Sequence, residues 1–166
     1  FAGLNLISDP WVSIPLMRKA HEKVAQVLRN ELPRDWVPDH TKAFKPASRV
    51  RIGVVSGDFY SHVVSHFVNG WFKFHDRSRF ELYAYANVPE KRRDPITKAY
   101  EATAEHFRFV DKMTPRELAE LIQSDGIHIL MDLSGYTEGN LFEMLVYKPA
   151  PVIVTWLGYP ATTGCR

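Results

Sequence analysis

Val50, Ile52, Val54 and Val55 form a short β-branched run that stops at Ser56-Gly57, and from Ser61 onward Val63, Val64, Phe67, Val68 and Trp71 recur at helical spacing. A strand, a tight turn and a helix are predicted in that order. The alternation then repeats. Phe80 to Val88 reads as a strand, and Asp94-Pro95 opens a helix through about Glu105. Phe107 to Val110 is a short strand, and Thr114-Pro115 starts a helix whose Leu118, Ala119, Leu121 and Ile122 face a sheet, with Glu117 at the capping-box position. Gly126 ends that helix. Ile127 to Leu133 reads as a buried strand, the loop Ser134 to Asn140 leads to a helix through about Val146, and Val152 to Leu157 follows Pro149-Ala150-Pro151 as a last strand. Strands separated by helices of this length imply an α/β, Rossmann-like, mostly parallel sheet with helices on both faces.

The first part of the chain has another pattern. Phe1 to Ser8 is apolar without periodicity and, lacking an initial Met, reads as the tail of something larger. Ser8-Asp9-Pro10 supplies a cap and an early Pro, and Val12, Leu16, Ala20, Val24, Val27 and Leu28 form an apolar stripe in which Pro15 delays or kinks the helix. Leu32-Pro33 ends it. Arg34 to Ser48, with Pro38 and Pro46, is a linker that wraps over a surface or joins two units. The division expected is a helical segment with a Pro-containing linker over 1–48 and a Rossmann-like lobe over 49–166.

Composition narrows the classes. With 166 residues, 45% of them hydrophobic, the chain can build one sizeable core, and a formal charge of +2 is too small to imply nucleic acid. The densest basic run, Lys91-Arg92-Arg93, is followed by Asp94 and reads as a solvated approach to a helix. One cysteine, Cys165, excludes a disulfide framework and a cysteine-based zinc site. Neither a membrane-length apolar run nor a secretory signal pattern is present, so no membrane partner is expected and the default compartment is the cytoplasm.

In a parallel sheet the segments that directly follow strands share the carboxyl edge, where ligands bind. Ser56-Gly57-Asp58, Asp132-Leu133-Ser134-Gly135 and Leu157-Gly158-Tyr159-Pro160 are therefore expected on one edge. His62 at a helix start, held neutral by the dipole and by burial, could accept a hydroxyl proton, and Asp58 could orient it or relay its proton. The same two residues also suit a plain helix cap and an ordinary helix-face histidine. His66 reads as a packed histidine of the core, and His128, between Ile127 and Ile129, as a satisfied histidine of the sheet. No Gly-x-Gly-x-x-Gly, Walker-type Gly-Lys-Ser/Thr, Asp-x-Asp, His-Glu-x-x-His or Gly-x-Ser-x-Gly occurs, which leaves a reaction without a metal as the consistent reading.

Three stretches carry a family resemblance: Ser56 to His66, Asp125 to Gly139, and Lys148 to Gly164 with its Trp-Leu-Gly-Tyr-Pro. Over about Val50 to Gly164 the chain resembles the first catalytic lobe of the O-linked N-acetylglucosamine transferases, a family that includes the plant SPINDLY-type proteins and bacterial tetratricopeptide-repeat proteins. Phe1 to about Leu32 resembles the helical segment that joins repeats to the catalytic region. The resemblance implies a GT-B architecture of two Rossmann-like lobes, and metal-independent, inverting transfer of a sugar from a UDP ester to Ser or Thr hydroxyls of proteins. No cofactor is implied. The implied partners are a nucleotide sugar, a protein acceptor, a second catalytic lobe and upstream tetratricopeptide repeats. By position, Asp58 and His62 match the catalytic Asp and His of that family, and Leu157, Gly158 and Pro160 match the stretch lining its donor pocket. Val63-Val64 departs from the Pro-Thr of animal members, and His21 is out of register with their second histidine.

Three functions are compatible with this reading: a lobe of a protein O-glycosyltransferase using UDP-N-acetylglucosamine, the same fold with another donor such as GDP-fucose, or a non-catalytic scaffold lobe. With no Lys or Arg in Ser56 to Ser65, Ser134 to Asn140 or Leu157 to Gly164, the chain alone is expected to bind UDP-sugar weakly or not at all. Its apolar Trp156 to Pro160 end should be an exposed patch that drives association.

Overall fold

A computed structural model of the chain describes residues 12–45 and 48–165. Five strands, β1 (Val50–Ser56), β2 (Phe80–Ala86), β3 (His106–Phe109), β4 (Ile129–Asp132) and β5 (Val152–Thr155), form one sheet in the order β3-β2-β1-β4-β5, every pair parallel. This is the Rossmann-like sheet the alternation predicts. The chain winds outward from β1 to β3 and then returns to lay β4 on the other side of β1, so the topological switch point falls between β1 and β4.

Strand periodicity sorts side chains into two cores. Ile52, Val54, Leu82, Ala84 and Leu133 pack on one face with Val64, Val68 and Phe72 of α2 (Val63–Phe74) and Tyr100 of α3 (Pro95–Thr103). Val55, Tyr83, Tyr85 and Leu130 pack on the other with Ala25 of α1 (Ile14–Asn30), Leu118, Ala119 and Ile122 of α4 (Pro115–Asp125), and Met144 of α5 (Phe142–Leu145). Caps set the helix starts where the sequence places them: Asp94 and Thr114 each form a capping box, and Gly126, at φ +67°, closes α4.

Several local expectations are corrected. The Ser8-Asp9-Pro10 cap lies outside the described residues, and α1 has Ser13 as its cap with Pro15 in the first turn, where its missing N–H costs nothing. Its inward face is His21, Val24, Ala25 and Leu28, whereas Leu16 and Val27 are exposed. On α2, Val63 and Phe67 likewise face outward, and His66 is exposed rather than packed. β4 and β5 are shorter than predicted. Asp132 accepts the N–H groups of Ser134 and Gly135 and turns the chain out of the sheet, and Leu157 at φ +74° turns it after β5. His128 fits its expectation, its Nδ1 accepting the Arg51 N–H at 2.8 Å. The linker wraps over the lobe: Trp36 donates its indole N–H to the Tyr147 carbonyl, and Ala43 is buried.

Candidate active site

Four segments meet at the carboxyl edge. After β1, Gly57 donates its N–H to Ser134 Oγ, and a Cβ at Gly57 would sit 2.7 Å from the Gly139 carbonyl oxygen, so the loops after β1 and β4 touch through backbone. After β2, the Asn87 amide donates to that same carbonyl at 3.0 Å. The fourth segment, after β5, lies over β4, with Gly158 against the Leu133 carbonyl. The three predicted strand ends do converge, and the end of β2 joins them.

Asp58 sits at the floor of this edge. Its N–H donates to Ser56 Oγ, its carbonyl accepts from Tyr60 N–H and from Ser65 Oγ, and its side chain is 9% exposed. Ser61 N–H donates to Asp94, the cap of α3, which pins the outer half of the loop. Burial pushes the Asp58 carboxyl above the usual carboxylate range, His62 and Arg92 pull it back, and Glu138 adds to the rise.

His62, not Asp58, is the cap of α2: its Nδ1 accepts the Val64 N–H at 3.3 Å. The same nitrogen lies 3.6 Å from Asp58 Oδ1. With a side chain 39% exposed, the imidazole is not buried as the sequence reading has it. One ring nitrogen cannot serve both partners at once, because Val64 needs a lone pair on it and Asp58 a proton. While Nδ1 accepts from Val64, the ring proton is on Nε2; a proton on Nδ1 would instead be donated towards Asp58 and free Nε2 as a base.

Arg92 is the residue the sequence reading missed. It ends a short 3-10 turn, Glu90–Arg92, and its guanidinium pairs with Glu138 at 2.7 Å and faces the Tyr60 ring with 6.0 Å to its centroid. It thus bridges the segments after β1, β2 and β4 and brings a cation to Asp58. The basic run is not merely solvated: Arg93 stacks over Phe109 at 3.5 Å and pairs with Asp111 at 2.9 Å. The signal lay in the position of Arg92, in the segment that follows a strand ending on this edge.

The predicted donor-side residues divide. Leu157 and Pro160 are exposed, as is Trp156, but Tyr159 is buried, so the apolar patch is smaller than expected. Gly158 is required by its own neighbour, since a Cβ there would lie 1.8 Å from the Leu133 carbonyl oxygen. Asp132 is almost fully buried, and burial raises its carboxyl against the hydrogen bonds from Ser134, Gly135 and Thr155. Its bonds are to the chain itself, which makes it a turn-forming residue. Among the described residues no three His, Cys, Asp or Glu side chains gather as a metal-binding group, and no helix is long and apolar enough to cross a membrane.

Residues 21–166 match the model of glycosyl transferase family 41. The Caenorhabditis elegans UDP-N-acetylglucosamine–peptide N-acetylglucosaminyltransferase is 41% identical over 117 residues, which is 70% of this chain and 10% of that protein. An Arabidopsis thaliana protein described as "Probable UDP-N-acetylglucosamine--peptide N-acetylglucosaminyltransferase SEC" is 38% identical over 116 residues, 70% of this chain and 12% of that protein. Among solved structures, a K341M mutant of the Thermobaculum terrenum O-GlcNAc transferase superposes with a TM-score of 0.80 at 34% identity, over 94% of this chain and 29% of that one. The chain thus spans about a tenth of the length of these curated relatives. On the family match and the shared fold, the chain belongs to glycosyl transferase family 41.

Proposed function

We propose that this chain is the first lobe of a two-lobed, GT-B type protein O-glycosyltransferase that moves N-acetylglucosamine from UDP-N-acetylglucosamine to Ser or Thr hydroxyls. The relatives' names support the donor and the peptide acceptor. The observation that carries the reading is the Asp58–His62 pair at the switch point between β1 and β4, where a ligand enters an open parallel sheet.

In the proposed reaction His62 Nε2 takes the proton of the attacking hydroxyl. For this, Nδ1 carries the other proton and turns from Val64 towards ionised Asp58, which stabilises the imidazolium that forms. The hydroxyl oxygen attacks the anomeric carbon as the bond to the diphosphate oxygen breaks, which inverts that centre. No metal takes part in this reading. The exposed Leu157 and Pro160, with Gly158 between them, line the donor side. A second lobe supplies the diphosphate contacts, upstream tetratricopeptide repeats present the acceptor, and the enzyme works in the cytoplasm.

The test is transfer from radiolabelled UDP-N-acetylglucosamine to an acceptor peptide by the full-length protein that contains this chain. His62→Ala should abolish most of it. Transfer at the wild-type rate by that variant would remove the pair from the mechanism, and transfer only from GDP-fucose would replace the donor.

A further inference from the structure

His21 is a polar side chain that the proposed reaction does not use, and it is wholly buried on α1. Burying an imidazole costs free energy that an apolar residue of the same helix face would not, unless its hydrogen bonding is satisfied. Val24, Ala25 and Leu28 on that face are the ordinary solution. His21 has specific partners instead. Its Nε2 lies 3.0 Å from the Tyr159 hydroxyl, and its ring stacks on Tyr136 at 4.6 Å with 18° between planes. The Tyr136 hydroxyl donates to the Thr163 carbonyl at 2.8 Å. Gly164, at φ +74°, packs so closely on the backbone of His21 and Glu22 that a Cβ would sit 2.4 Å from it. One imidazole therefore joins α1 to the loops after β4 and β5.

The turn it reaches is a strained one. Leu157 has φ +74°, an uncommon conformation for a non-glycine residue, and Trp156 and Leu157 are exposed beside the edge. Something must over-determine that turn. Gly158 on the Leu133 carbonyl holds one side, and Tyr159, plugged inward, holds the other.

We infer that His21 is a positioning residue: from α1 it fixes the Tyr159 hydroxyl and so holds the Trp156–Pro160 turn in the shape that receives the nucleotide sugar. The inference rests on the proposed function for its effect on donor binding, but its structural part stands alone. Burial lowers the His21 pKa, and the Thr162 carbonyl opposes this only in part, so the ring is neutral at neutral pH and suited to a hydroxyl partner. Because the contact runs from a helix that precedes the sheet, a change in how α1 sits would reach the Trp156–Pro160 turn through this hydrogen bond.

Four variants separate the hydrogen bond from packing: His21→Phe keeps a ring on Tyr136 and removes the nitrogen, Tyr159→Phe removes the hydroxyl, the double variant removes both, and His21→Gln restores a polar group where Nε2 stands. Two readouts are taken, hydrogen exchange of amides 156–165 in this chain and donor KM against kcat in the full-length protein. Either Phe variant should speed exchange in that segment about fivefold, the scale of one lost hydrogen bond. Donor KM should rise by a similar factor with kcat little changed, the double variant should be no worse than either single, and His21→Gln should restore both. Additive effects in the double variant, or exchange in 156–165 that stays at the wild-type rate, would overturn the inference. If the wild-type protein transfers no sugar, the proposed function fails, and the exchange measurements still decide the role of His21.

Discussion

Gly158 is packed beneath the carbonyl of Leu133 so tightly that a methyl group could not fit between them, the Cβ falling 1.8 Å from the oxygen. This contact holds the segment after β5 on the end of β4, and only a residue without a side chain allows it.

Gly158→Ala should therefore destabilise the lobe whether or not a ligand is bound. Overpacking of this kind costs about 1–3 kcal/mol, and at roughly 2–4 °C per kcal/mol for a chain of this size the melting temperature should drop by several degrees. Thermal melts of the wild type and variant check it. An unchanged melting temperature with lost donor binding would show that the glycine serves the ligand alone.

His62→Ala in the full-length protein should lower transfer by about 100-fold or more, as loss of a positioned acid–base group does. The variant also loses the cap on Val64 N–H, worth about 1 kcal/mol. His62→Asn, which can cap, should recover stability without recovering transfer. Melting curves beside rate measurements distinguish the two effects.

Asp58→Asn should act oppositely on activity and stability. Burial raises the folded-state pKa of Asp58 above its unfolded value, so folding is favoured by the bound proton at low pH, and that contribution is lost as pH rises through the folded pKa. At pH 7 the wild type holds a buried charge that Asn does not have. The variant should be more stable by about 1 kcal/mol, with the gain fading towards pH 4 and below, while transfer falls. Denaturation at a series of pH values checks the sign.

Arg92→Ala removes the cation that pulls the Asp58 carboxyl down and leaves Glu138, which pushes it up, unpaired. The acid limb of the rate–pH profile should move to higher pH. The ion pair is solvent-exposed, so the melting temperature should change little. An unmoved acid limb would separate Asp58 from the titration that limits the rate.

This chain by itself should transfer no sugar and bind UDP weakly. Preorganised positive groups at a leaving diphosphate are usually the largest catalytic contribution, and Arg92, the cation at this edge, is engaged by Glu138. Calorimetry with UDP on the 166-residue chain checks it; tight binding would show that this lobe alone suffices to hold the nucleotide.

What the sequence determined by itself was everything that depends on near neighbours in the chain. The alternation at Val50 to Val55, the capping boxes at Asp94 and Thr114 and the closing Gly126 are local, and together they specify a parallel sheet whose strand ends carry Asp58, Ser134 and Gly158 to one edge. Only the tertiary structure decided the rest, because it turns on groups far apart in sequence. His21 is buried because Tyr136 and Tyr159 arrive from two other loops, across 138 residues in the case of Tyr159. Arg92 becomes part of the site because Glu138 lies opposite it, 46 residues on, and Gly158 is fixed by the Leu133 carbonyl rather than by any property of the turn it occupies. Hydrophobic period and cap chemistry are written over a few residues; which polar group meets which across the carboxyl edge depends on how the strands are ordered and how closely the loops pack.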